Sequence, residues 1–266
     1  GLLRLEASNP NKLRIHDWIP AFAGNADFVR FQLRLPDHHW DPAMLPRELI
    51  ATAKVPGGVE LRLIRHGDDH VIMVDSNELM SSRLGGSEEA LATLSCERMR
   101  ERTAPHLLIG GYGMGFTLRA ALALLGPAGK ATVAELVPEI IDWARGPMAK
   151  LTAGCLDDPR VRLVTGDVAA EIASATKRYD AILLDVDNGP SGLTRAANDG
   201  LYSARGLALA KAALRPGGVL AIWSASPDAA FTRRLDKAGF KVDEVVVRAR
   251  SNGKGPRHTI WFATAR

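Results

Sequence analysis

The end of the chain constrains its fold most. Residues 242–250 and 258–264 are extended, valine- and aromatic-bearing segments, separated only by a turn around Gly253-Lys254-Gly255-Pro256. A link that short lets two strands pair only as an antiparallel hairpin. The chain before it follows another rule. Apolar runs at 107–110, 131–136, 161–165, 179–185 and 219–224 alternate with stretches of helical character. The run at 179–185 is almost unbroken, as a strand buried on both faces must be. Alternation of this kind builds a parallel sheet with helices on both faces. The expectation is α/β: a doubly wound, mostly parallel, seven-stranded sheet that ends in an antiparallel hairpin. This is the pattern of class I methyltransferase-type folds. A dinucleotide dehydrogenase would more often continue into helices and a second domain.

Upstream, residues 48–54, 59–65 and 70–74 read as short strands parted by turns at Pro56-Gly57-Gly58 and Gly67-Asp68-Asp69. They predict a small β-rich region. A helix over 87–102 follows, with Ser87 as its cap, Glu88 and Glu89 in its first turn and basic residues near its end. Residues 1–43 differ from both. Asn9-Pro10-Asn11, Asp17-Trp18-Ile19-Pro20 and Asp37-His38-His39-Trp40-Asp41-Pro42 interrupt every period. The phrase from Asp17 to Gly24 resembles a translated bacterial intergenic repeat, which makes Met44 the expected natural start. Three parts result: a poorly ordered or non-native extension at 1–43, a β-rich region with one helix at 44–104, and the α/β domain at 105–266.

Composition excludes several classes. A hydrophobic fraction of 46% supports a real core. The 2 cysteines, Cys96 and Cys155, stand apart from each other and from any histidine cluster, which argues against structural zinc and fits a reducing, cytoplasmic setting. No apolar run is long enough for a membrane span, and no leader pattern opens the chain. The formal charge of +4 is scattered, so nucleic-acid binding is not indicated.

Four features fall at the carboxyl ends of successive expected strands, the edge where open α/β sheets bind ligands. The first is Gly110-Gly111-Tyr112-Gly113-Met114-Gly115, where glycines allow a tight turn and close approach to a ligand. It fits Gly-x-Gly-x-x-Gly badly, which speaks against a dinucleotide pyrophosphate. The second is Glu135, about 20 residues further on, placed to accept both hydroxyls of a ribose. The third is Gly166-Asp167-Val168. Asp167 suits an adenine amino group and Val168 the ring, although Asp167 as a helix cap explains it nearly as well. The fourth is Asp185-Val186-Asp187-Asn188-Gly189-Pro190. A carboxylate there could orient or deprotonate an amine and stabilise a sulfonium; for Asp187 an Asx-turn is an equal explanation. Tyr202 could line an acceptor pocket but reads better as packing. His258, Trp261 and the methionines read as structural, and helix-dipole stabilisation alone explains Glu88 and Glu89.

These residues resemble the spermidine synthase-like (polyamine aminopropyltransferase-like) group of the class I S-adenosylmethionine-dependent superfamily. The resemblance runs from Glu48 to the C-terminus. It is carried by 108–119, by Asp158-Pro159-Arg160-Val161 with Gly166-Asp167, and by 179–185; the run 184–190 is similar to bacterial spermidine synthase-like proteins. It implies an S-adenosyl ligand across Gly111, Gly113, Met114 and Gly115, with Glu135, Asp167, Val168 and Asp185 around it. Asp185 and Asp187 become the candidate catalytic acids. It also implies a homodimer and no metal. The family's glycine turn reads Gly-Gly-Gly-Asp-Gly-Gly, and its aspartate, which holds the donor's amine, becomes Met114 here. Leu79 and Ser87 replace the family's upstream glutamine and tyrosine, whereas Glu89 matches its following glutamate. The nucleotide half is kept and the polyamine half eroded. The expectation is therefore methyl transfer from S-adenosylmethionine to a small acceptor, an amine by this resemblance. Two alternatives stand beside it. One is aminopropyl transfer from decarboxylated S-adenosylmethionine, with Asp187 supplying the missing carboxylate. The other is a nucleotide-binding protein without catalysis.

Overall fold

The computed structural model describes residues 46–186 and 199–265. The expected extension at 1–43, Met44 and the stretch Asp187-Asn188-Gly189-Pro190 lie outside the described residues.

Four strands, β1 (Arg47–Lys54), β2 (Glu60–His66), β3 (Asp69–Val74) and β4 (Asn77–Ser81), form a sheet in chain order, each antiparallel to the next. The last is not evident from the sequence. Asn77-Glu78-Leu79-Met80-Ser81 holds no β-branched or aromatic residue. The turn at Asp75-Ser76 makes it a strand. Asp75 accepts φ +51 there, and the chain folds back so that Asn77 faces Val74.

The second sheet contains β5 (His106–Gly110), β6 (Lys130–Glu135), β7 (Val161–Thr165), β8 (Tyr179–Leu184), β9 (Leu214–Ser224), β10 (Phe240–Arg248) and β11 (Arg257–Ala265). Its spatial order is β10-β11-β9-β8-β5-β6-β7. The five strands from β7 to β9 run parallel, and β11 is antiparallel to both its neighbours. The seven strands and the closing hairpin match the sequence expectation. From β5 the chain moves one way to β6 and β7, then crosses back to β8. The switch point therefore lies between β5 and β8.

The helices are α1 (Gly86–Arg98), α2 (Phe116–Leu124), α3 (Pro138–Arg145), α4 (Ala149–Thr152), α5 (Val168–Ala173), α6 (Asp199–Tyr202), α7 (Ala204–Ala213) and α8 (Ala229–Lys237). Two of them correct the sequence expectation. Helix α1 starts after Gly85 and stops at Arg98, and Ser87 lies inside it without capping it. The stretch of helical character expected before the run at 219–224 is two helices, because Ser203 takes an extended backbone and accepts a hydrogen bond from the Gly206 amide at 3.0 Å.

The alternation of strand side chains divides the core. Leu107, Ile109, Leu183, Ala221 and Phe262 pack with α1, α2, α3 and the inner face of the four-stranded sheet. Their neighbours Leu108, Ile182, Leu184, Ile222 and Trp261 pack on the other face, with α7 and α8. Both faces of the sheet are covered, so its apolar strands are buried throughout and its polar chemistry is confined to the strand ends.

Candidate active site

The carboxyl ends of β5, β6, β7 and β8 open into a cleft of about 1070 Å³, counting its solvent-open space. The loops leaving these strands continue the ladder by one bond each. Gly111 donates to the Ala134 carbonyl at 2.9 Å, Gly166 to that of Glu135 at 2.8 Å, and Asp185 to that of Gly110 at 2.9 Å. The backbone of the site is thus an extension of the sheet.

Close approach requires glycine at the first turn. Gly111 has φ +85, and a Cβ there would lie 2.5 Å from the Asp185 carbonyl oxygen. Gly110 lies against Val168, whose methyl would be 2.8 Å from a Cβ. Gly111 and Gly113 line the cleft; Met114 and Gly115 do not. Met114 is 0% exposed and belongs to the core, so its side chain does not replace a ligand-facing acid. Gly115 instead starts α2 with φ +77.

Glu135 is 5% exposed and lines the cleft. Its Oε2 accepts from the Tyr112 amide at 2.8 Å and its Oε1 from the Val137 amide at 2.9 Å. Burial raises its pKa, and these backbone donors oppose the shift. The carboxylate therefore ties the glycine turn to the end of β6. Asp167 is both a helix cap and part of the cleft lining. It accepts from the Ala169 amide at 2.8 Å as the cap of α5, and it lines the cleft beside Val168.

At the next strand end, Asp185 Oδ2 accepts from the Thr117 hydroxyl at 2.7 Å. A second carboxylate joins it. Glu88, in the first turn of α1, is 8% exposed and lines the same cleft. The Ser87 hydroxyl donates to Glu88 Oε2 at 2.6 Å, and Ser87 Oγ lies 2.8 Å from His258 Nδ1. Since the hydroxyl proton is committed to Glu88, Nδ1 of His258 must be the donor in that second bond. Burial lowers the His258 pKa and keeps its ring neutral. Both acids are pushed above the usual carboxylate range by burial, and the nearby Asp185 charge raises Glu88 further. No lysine or arginine forms an ion pair with either acid among the described residues. Val55, Val59, Leu61, Val74, Leu79 and Met80 of the four-stranded sheet give the cleft an apolar wall, and Trp223 of β9 adds an indole.

The sequence-selected residues thus divide. Gly111, Gly113, Glu135, Asp167, Val168 and Asp185 share one cleft. Asp187 lies outside the described residues. Tyr202 is buried on the other face of the sheet, edge-on to Phe231. Of the two glutamates of α1, the one matched to the family by resemblance, Glu89, accepts from Ser251 at 2.8 Å and is absent from the cleft lining. Glu88, Thr117 and Trp223 escaped the sequence reading. For Glu88 a signal existed: it shares a helical stripe with the buried Leu91, Ala92 and Ser95, one and two turns on.

A domain model described as the spermine/spermidine synthase domain matches residues 89–232. The chain belongs to this family. A curated relative named polyamine aminopropyltransferase 1, from Streptomyces coelicolor, is 32% identical over 161 residues, which cover 57% of this chain and 29% of the relative. A polyamine aminopropyltransferase from Korarchaeum cryptofilum is 30% identical over 114 residues, covering 43% and 33%. The matched stretch therefore spans about a third of these relatives. The crystal structure of spermidine synthase from Thermotoga maritima aligns with a TM-score of 0.66 at 21% identity, covering 82% of this chain and 73% of that one. A spermidine synthase in complex with the transition-state analogue AdoDATO aligns at 0.65 and 20%, covering 82% and 72%. These neighbours share the seven-stranded fold with its small N-terminal sheet. The curated relatives are named for aminopropyl transfer, where the expectation drawn from Met114 is methyl transfer. Among the described residues no helix is long and apolar enough to cross a membrane, and no group of three or more acids, histidines or cysteines could hold a metal ion.

Proposed function

We propose that this chain is an aminopropyltransferase, which moves the three-carbon amine arm of decarboxylated S-adenosylmethionine to an aliphatic amine. The observation that carries the reading is the pair of a buried Glu88 and a half-buried Asp185, neither ion-paired to a lysine or arginine among the described residues, in the cleft that begins at the glycine turn. Methyl transfer was preferred because Met114 cannot hold an ammonium. That objection weakens once Met114 is buried and Glu88 brings a carboxylate into the cleft from α1.

The bound donor supplies an electrophilic carbon beside a sulfonium. The acceptor nitrogen bonds to that carbon while the carbon–sulfur bond breaks toward sulfur, and 5′-methylthioadenosine leaves. The chain's residues supply position and field. Glu135 and Asp167 hold the nucleoside, with Val168 against its base. Asp185, aimed by Thr117, faces the reacting centre. There it orients the acceptor amine and takes the proton that nitrogen loses. Its raised pKa suits a base working near neutrality. The apolar wall excludes water and favours a methylene chain. Most of the acceleration in such a site comes from alignment and preorganised charge.

The test is product analysis. The protein, given either decarboxylated or intact S-adenosylmethionine with a panel of aliphatic amines, should release methylthioadenosine from the decarboxylated donor only, in step with an aminopropylated amine. Release of S-adenosylhomocysteine from the intact donor would restore methyl transfer.

A further inference from the structure

We infer that Glu88 is the specificity residue for the donor: its carboxylate receives the terminal ammonium of the aminopropyl arm and excludes donors that carry a carboxylate at that end. The inference rests on the aminopropyl reading and assigns a role within it.

The first argument is place. Glu88 is 8% exposed and lines the cleft together with Gly111, Gly113 and Asp185. The nucleoside side of the cleft has its own acids, Glu135 and Asp167, each already bonded to backbone amides. Asp185 is bonded to Thr117, on the helix that follows the glycine turn. Glu88 comes from a different part of the chain, α1. Like Asp185, it is held by a hydroxyl, with Ser87 donating to Oε2. The turn itself offers no acid, since position 114 holds a buried methionine.

The second argument is preparation. A buried glutamate with rotational freedom would recognise little. Glu88 is fixed by Ser87, and Ser87 by His258, whose ring stands edge-on to Trp223 at 4.8 Å. The Ser87 hydroxyl donating to Oε2 suits Glu88 as an acceptor, the state in which it would meet an ammonium. Ser87 and His258 are therefore positioning residues. Trp223, 8% exposed and lining the same cleft, has an indole nitrogen without a hydrogen-bond partner among the described residues. A buried donor left unpaired beside an apolar wall marks a surface that a bound molecule completes.

The third argument is discrimination. Intact and decarboxylated donors differ by one carboxylate on the carbon that bears the amine. Next to Glu88, and with Asp185 in the same cleft, that extra negative charge is repelled, whereas the bare ammonium is attracted. The same group thus supplies both attraction and rejection.

Binding constants for decarboxylated S-adenosylmethionine, intact S-adenosylmethionine and methylthioadenosine, measured by calorimetry, test this. Wild-type protein should prefer the decarboxylated ligand. In Glu88→Gln that preference should shrink by about 10- to 100-fold. Methylthioadenosine, which has no arm, should bind within about twofold of wild type and so report an intact fold. Ser87→Ala should shrink the preference by several-fold, again sparing methylthioadenosine. An unchanged preference in Glu88→Gln that still binds methylthioadenosine would overturn the assignment and leave the aminopropyl reading standing. If Glu88→Gln does not fold, an unchanged preference in Ser87→Ala overturns it instead. A wild-type protein that binds methylthioadenosine but prefers the intact donor fails the broader reading as well.

Discussion

The two halves of the cleft use carboxylates in opposite ways. At the ends of β6 and β7, Glu135 and Asp167 are satisfied by backbone amides at 2.8–2.9 Å and hold the loops in shape. At the end of β8 and the start of α1, Asp185 and Glu88 are held by hydroxyls and form no ion pair among the described residues. An acid that braces backbone is mainly a matter of stability, because removing it strands buried donors. An acid held by a hydroxyl and facing a second acid is mainly a matter of electrostatics, because it raises the energy of the empty site and repays that only when a cation arrives. One sheet edge therefore carries a rigid half and a charged half.

The contrast breaks most sharply at Asp185. Asp185→Asn keeps the side-chain shape and the Thr117 contact but loses the charge. Turnover should fall about 10²- to 10⁴-fold with methylthioadenosine affinity nearly unchanged, as single-turnover assays and calorimetry would register. A variant that loses both equally would place Asp185 with the bracing acids.

Glu135→Ala should do the reverse. It leaves the Tyr112 and Val137 amides without their acceptor, at a cost of roughly 2–4 kcal/mol of stability. Thermal unfolding should show that loss, and nucleoside binding should disappear with it. A destabilised protein that still bound methylthioadenosine normally would limit Glu135 to bracing.

The smallest effect concerns pH. Glu88 has a folded pKa above its unfolded value, because it is buried beside Asp185. Its contribution to stability is fully present below the unfolded pKa and is lost as pH rises through the folded one. The ligand-free protein should therefore lose stability between acid and mildly alkaline pH, and Glu88→Gln should remove part of that loss. At the alkaline end the variant should be the more stable by about 1–2 kcal/mol. Denaturant melts of both proteins across the range would decide it; parallel curves would show that the acid is not strained in the empty cleft.

Much of this was legible from the sequence, for local reasons. Strand β8 is an unbroken apolar run, and the hairpin of β10 and β11 follows from the brevity of its turn. Gly111, Glu135, Asp167 and Asp185 stand where strands end, and strand ends can be read from apolar runs. Strand β4 was not legible, because a neighbouring turn and partner hold Asn77-Glu78-Leu79-Met80-Ser81 extended. Nor was Glu88. Two consecutive acids at a helix start satisfy the helix dipole equally well. Which of them enters the cleft depends on how α1 is rotated against the sheet, and only the packing of Leu91 and Ala92 settles that. Met114 misled for a related reason: its place in the motif was readable, but its burial was not.

The contact between Gly111 and the Asp185 carbonyl has a further consequence. With the Asp185 amide bonded to the Gly110 carbonyl at 2.9 Å, the glycine turn and Asp185 are neighbouring points on one backbone lattice. Their separation cannot drift when side chains elsewhere change. Glu88 belongs to neither strand end; it arrives on a separate helix, whose backbone meets the Thr117 hydroxyl at 3.3 Å. A scaffold built this way works like a lathe with a fixed bed and an interchangeable tool, and new donor preferences in it can arise one helix residue at a time.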